Sequence, residues 1–148
     1  MIAYPKSSIA LEYLEAAIEE RELHRRYFAA MNLAGVAEEL LGKIIRVNGG
    51  VDQLTSTVDM LSTIQKKFKD QMDLGFNTKK EFKNFLGSAK NGIKHMDNGK
   101  DSNALFHCEV EMESKWLIQA AIRNLNLLNI QHSAIVKAFV IKHPERSG

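Results

Sequence analysis

Proline occurs only at Pro5 and Pro144, so everything between them lacks the residue that most strongly breaks a helix. Glycine punctuates the chain instead, at Gly49-Gly50, at Gly75 and at Gly99 within Asp97-Asn98-Gly99-Lys100-Asp101. Between these marks apolar residues recur at helical spacing, and no run alternates with the period of a strand. The pattern predicts an all-α chain forming a single domain over residues 1–148.

The expected helices follow from the same signals. The first covers about Ser8–Arg21 and the second about Leu23–Val47, nearly continuous with it. Asn48-Gly49-Gly50 makes a good C-terminal stop. A third covers about Asp52–Met72, and a fourth about Thr78–Met96, where Thr78 and Glu81 have capping-box spacing. A fifth runs about Asn103–Asn129 with Asp101 or Ser102 as cap, and a short last helix covers about Ser133–Lys142.

Three of these helices carry a 4,3,4 seam. The second reads Tyr27, Met31, Ala34, Glu38, Leu41, Ile45; the third reads Leu54, Val58, Leu61, Ile64, Phe68, Met72. The fifth reads Phe106, Val110, Glu113, Leu117, Ala120, Asn124, Leu128. Seams of this kind pack nearly antiparallel helices at crossing angles near ~20°. The expected architecture is an up-and-down helical bundle of four to five main helices plus a short C-terminal helix.

At 148 residues such a bundle can bury a real core. The 20 basic against 18 acidic residues give a net charge of +2, which excludes a strongly basic, charge-driven nucleic-acid binder without a local patch. The one cysteine, Cys108, forms no internal disulfide and reads as a small, partly buried hydrophobe. The opening MIAYPKSSIALEYLEAAIEE lacks the basic and apolar regions of a signal peptide. The most apolar stretches, Trp116–Ile122 and Ala134–Ile141, fall far short of the ~20 residues that span a bilayer. The expectation is a cytoplasmic protein with no membrane partner.

Glu38, Glu113 and Asn124 interrupt the apolar seams. A buried carboxylate needs an ion pair, a hydrogen bond or a proton. The bland explanation is a bundle edge or a register-fixing hydrogen bond; the sharper ones are a functional carboxylate or a metal site. Di-iron bundles use Glu-x-x-His pairs, and none of His24, His95, His107, His132 and His143 has Glu three residues before it. Glu38 and Glu113 sharing a divalent ion is the weaker alternative; the chain calls for no cofactor and no assigned metal ligand.

The fourth helix sorts into three sectors at ~100° per residue. Phe82, Phe85, Leu86, Ala89, Ile93 and Met96 form an apolar stripe. Lys83, Lys90 and Lys94 line one flank, and Asn84, Ser88, Asn91 and His95 form a neutral ridge opposite the core. Asn91 and His95, at i and i+4, can reach one ligand, with Lys94 adding charge beside them. An imidazole there can act as general acid or base near neutral pH.

Two stretches, Ala29–Gly42 and Lys90-Asn91-Gly92-Ile93-Lys94-His95 followed by Asp97 and Asp101, together with Ala120-Ala121-Ile122-Arg123-Asn124, resemble HEPN-like helical bundle proteins, a group with many small bacterial members. The resemblance implies an α-helical bundle that is commonly a dimer. In catalytically active members an Arg four to six residues before a His, with a polar residue after the Arg, forms a metal-independent RNase site across the dimer cleft. His95 matches that His and Asn91 the polar residue after the Arg, while Lys90 stands where Arg is expected. Lys lacks the planar fork that Arg offers phosphate, and on a regular helix Lys90 and His95 point about 140° apart. The expected function is therefore a non-enzymatic bundle that forms a homodimer and binds a partner protein, RNA or nucleotide. The binding residues would be Lys94, Asn91, His95 and Glu38. The alternatives are an endoribonuclease using His95, Asn91 and Lys90, and a carboxylate metal-binding bundle.

Overall fold

The computed structural model describes residues 1–68, 75, 78–93 and 107–145. Seven helices and no strand occur among them: α1 (Lys6–Glu22), α2 (Tyr27–Val47), α3 (Gln53–Lys67), α4 (Lys79–Leu86), α5 (Ser88–Gly92), α6 (Val110–Leu127) and α7 (Ala134–Lys142). The chain is an all-α bundle. None of the described helices is long and apolar enough to cross a membrane.

The core lies between α1, α2, α6 and α7. Ala10, Leu14, Ala17 and Ile18 of α1 meet Met31, Ala34, Ala37 and Leu41 of α2, and Leu117, Ile118, Ala121 and Leu125 of α6 close the packing. Val136 and Phe139 of α7 cap one side. Alanine recurs on the facing surfaces of α1 and α2, which lets two helix backbones approach closely. Full burial of each Leu or Ile is worth about 1.5–3 kcal/mol. The seam of α2 is buried from Met31 through Ile45, Glu38 included, and the Leu117, Ala120 and Asn124 positions of α6 are buried as the spacing predicts.

Several expected boundaries shift. The first two helices are not continuous, because the chain reverses at residues 23–26 and α1 packs along α2 as a hairpin. Arg25 takes a left-handed backbone there, with φ 54°, and the Arg26 N–H donates to the Glu20 carbonyl at 2.8 Å. No glycine or proline marks this turn, so the spacing ran through it. α2 does end at Asn48-Gly49-Gly50, with Gly49 at φ 80°. The third helix ends at Lys67, short of the expected Met72, which lies outside the described residues. The expected fourth helix is two helices, broken at Gly87. Its start is as expected: Thr78 and Glu81 form a reciprocal capping box. Residues 107–109 are not helical, so the fifth helix starts at Val110; the expected cap at Asp101 or Ser102 lies outside the described residues.

α3, α4 and α5 form an arm laid against this block. The buried residues of α3 are Val58 and Ser62, and α4 buries Phe82. Phe85, expected in the apolar stripe, is 59% exposed, and Phe68 also faces solvent. Ile93 packs against the core cluster as the stripe predicted.

Candidate functional site

The polar residues that interrupt the seams tie the arm to the block. Asn124 is fully buried on α6. Its Nδ2 donates to the Glu38 carbonyl of α2 at 3.2 Å, and its Oδ1 accepts the Gln53 N–H at the start of α3 at 3.0 Å. One amide thus holds three helices in register, the role expected of a polar seam residue. Asp52 caps α3, accepting from the Thr55 N–H at 3.2 Å and the Thr55 hydroxyl at 2.8 Å, and it also accepts from Arg46 Nη1 at 2.6 Å. Burial is the largest single influence on its carboxyl and works to raise the pKa; Arg46 and Thr55 together outweigh it and hold it below the usual range.

Glu38 carries the most specific contact. Its Oε2 accepts from Lys90 Nζ of α5 at 3.0 Å, with the two side chains 8% and 12% exposed. The lysine stem crosses α2 over Gly35, where a Cβ would lie 2.7 Å from Lys90 Cγ and Cδ. The missing side chain of Gly35 gives the Lys90 stem its direct path to Glu38; a methyl there would force the stem to shift. This corrects the placement of Lys90 on a solvated flank with Lys83. Lys90 is on the flank next to the apolar stripe, and its long stem folds back over Gly35 to bring the ammonium inside.

The described ridge residues Asn84, Ser88 and Asn91 are exposed as expected, and so is Lys83 on the flank. Lys94 and His95 lie outside the described residues. Beside Phe85 and Leu86 a cleft of about 480 Å³ is walled by Cys108, Met112, Glu113 and Trp116. Burial and the nearby Glu113 and Glu109 push the Cys108 thiol up, so it is a poor thiolate nucleophile at neutral pH. Glu113 is half-buried at this cleft's wall rather than in the bundle seam. Among the described residues no three His, Cys, Asp or Glu side chains are grouped to hold a metal ion.

A second polar cluster had no sequence signal. At the end of α1, Arg21 Nε donates to Ser114 Oγ at 3.2 Å and Nη2 to the Glu111 carbonyl at 3.1 Å. Arg21 also pairs with Glu22, which is bonded in turn by Lys142 and by His143 Nε2 at 2.8 Å. Burial works to raise the Glu22 pKa, but Lys142, His143 and Arg21 outweigh it and hold it at about 2. The members come from α1, α6 and the end of α7, too far apart in sequence to form a motif; only the fold brings them together. No family model, curated protein or solved structure matches this chain.

Proposed function

We propose that this chain is a non-enzymatic binding module that dimerises and engages a partner through the face carried by α4 and α5. The observation that supports this reading best is the commitment of Lys90. Its ammonium is neutralised by Glu38 inside the bundle, while Lys83, Asn84, Phe85, Ser88 and Asn91 are left facing solvent. The face therefore offers amides, a hydroxyl and an aromatic ring for recognition, and withholds the cation that the HEPN-like RNase alternative would set against a phosphate. Fold resemblance alone carries no activity. The Glu38–Lys90 pair also weighs against the carboxylate metal reading, because the carboxylate already has a cationic partner.

Light scattering across protein concentrations tests the proposal. The wild type is expected to dimerise. Replacing Asn91 and His95 with Glu is expected to shift it to monomer and to weaken RNA, nucleotide or protein-partner binding in parallel, because four new negative charges would meet across the contact. A wild type that stays monomeric, or a double variant that dimerises unchanged, overturns it. Incubation with mixed RNA in EDTA separates the alternative: cleavage abolished by His95→Ala would favour the endoribonuclease.

A further inference from the structure

About 16 Å along α2 from Glu38, the helix starts beside a recess of about 430 Å³. Its lining includes Arg21, Arg25, Tyr27, Lys142 and His143, with Glu22 and Glu111 between them. Three permanent cations thus face two carboxylates, and both carboxylates are already engaged. Glu22 is bonded by Arg21, Lys142 and His143, and Glu111 Oε1 accepts the Tyr27 hydroxyl at 2.9 Å.

The cations, by contrast, retain donors. Arg21 has five N–H groups; it bonds Ser114 Oγ, the Glu111 carbonyl and Glu22, and its Nη1 lies 3.4 Å from His143 Nε2, which leaves an Nη2 N–H unassigned. It is only 11% exposed, so its guanidinium is held in a fixed position in the recess lining. Lys142 has three N–H groups and gives one to Glu22. Arg25 stands at the rim, in the left-handed backbone region that a non-glycine residue adopts only under some strain. The long helix α2 begins here with no acidic residue in its first turn and no side chain capping its end, which adds its positive pole to the same space.

We propose that this recess binds a phosphate group, either free or carried on a small phosphomonoester. Arg25 and Lys142 supply charged donors from separate elements of the recess lining, and Arg21 adds a guanidinium held in place by its protein partners. The Tyr27 hydroxyl stays protonated at neutral pH, since its bond to Glu111 holds its pKa above the ordinary value. The volume accommodates a phosphate with a small substituent. The recess shares no lining residue with the α4–α5 face and does not depend on that face binding anything.

Titration of the full-length protein with inorganic phosphate, followed by calorimetry at constant ionic strength, tests this. Saturable binding is expected in the wild type, weakened at least tenfold by Arg25→Ala and by Lys142→Gln. Lys80→Gln removes the same charge from an exposed position of α4 and is expected to leave binding within twofold. Adenosine monophosphate binding more tightly than phosphate, with adenosine inert, would identify a phosphomonoester as the occupant; equal affinities would identify free phosphate. Helical content measured without phosphate shows that each variant is folded. Absence of saturable binding at millimolar phosphate overturns the proposal. Unchanged affinity in folded Arg25→Ala does the same, as does an equal loss in Lys80→Gln, which would reduce the effect to net charge.

Discussion

The block made by α1, α2, α6 and α7 and the arm made by α3, α4 and α5 are held by different forces. The block interlocks Leu14, Met31, Leu41, Ile118, Leu125 and Val136, all fully buried. The arm contributes Val58 and Phe82 and is tied on by Asn124, by the Arg46–Asp52 pair and by the Lys90–Glu38 pair. Apolar packing is non-directional and sums over many contacts. Polar ties depend on a few atoms in fixed geometry, and losing one partner leaves the other buried and unsatisfied. The arm is therefore the region that a single substitution can release while the block stays folded.

The largest expected effect lies in the block. Leu125→Ala leaves a cavity among fully buried neighbours and should destabilise the protein by about 3–4 kcal/mol, read as a global shift in a urea melt. A smaller but more local effect is expected from Lys90→Ala, which strands the Glu38 carboxylate and should cost about 2–3 kcal/mol. Hydrogen exchange sharpens the contrast: α3 to α5 amides should lose protection in Lys90→Ala while those of α1, α2 and α6 keep theirs. Equal loss throughout would break the distinction between the two regions.

Acid tests a tie inside the block. Glu22 is held at about 2 against an ordinary 4.5. A depressed carboxyl contributes stability that is fully present above its unfolded pKa and lost as pH falls through its folded one. Between about pH 4.5 and 2, wild type should lose about 1–2 kcal/mol more than Glu22→Gln after allowance for solvent screening. Parallel acid curves for the two proteins would show that the cluster at the end of α1 contributes nothing. The smallest effect changes sign with background. Gly35→Ala gains about 1 kcal/mol of helix propensity but obstructs the Lys90 stem, so it should be neutral or destabilising in wild type and stabilising in Lys90→Ala. A double-mutant cycle measures that coupling.

Most of the block was legible in the sequence because its residues obey one local rule. Met31, Ala34, Glu38, Leu41 and Ile45 share a face at helical spacing, and the burial of that face follows. Asn124 was legible as an intruder on such a face, though its partners Gln53 and Glu38 were not. The arm was less legible. A glycine inside a helical pattern is often tolerated, so nothing local announces that Gly87 ends one helix and starts another, and no spacing rule shows the Lys90 stem folding back over Gly35 to a buried Glu38. The turn at Arg25 uses a residue with no preference for a left-handed backbone. The cluster around Glu22 joins residues from opposite ends of the chain, and no spacing rule connects Arg21 with Lys142 or His143.

Trp116 is the chain's one tryptophan. It is half-buried on α6 and borders both Phe85 and Leu86 of α4 and the space beside Lys90 of α5. The molecule thus carries its own optical reporter at the seam where arm meets block. Ultraviolet emission from that indole responds to how wet its surroundings are, so separation of the arm would redden the spectrum before the helical signal fell.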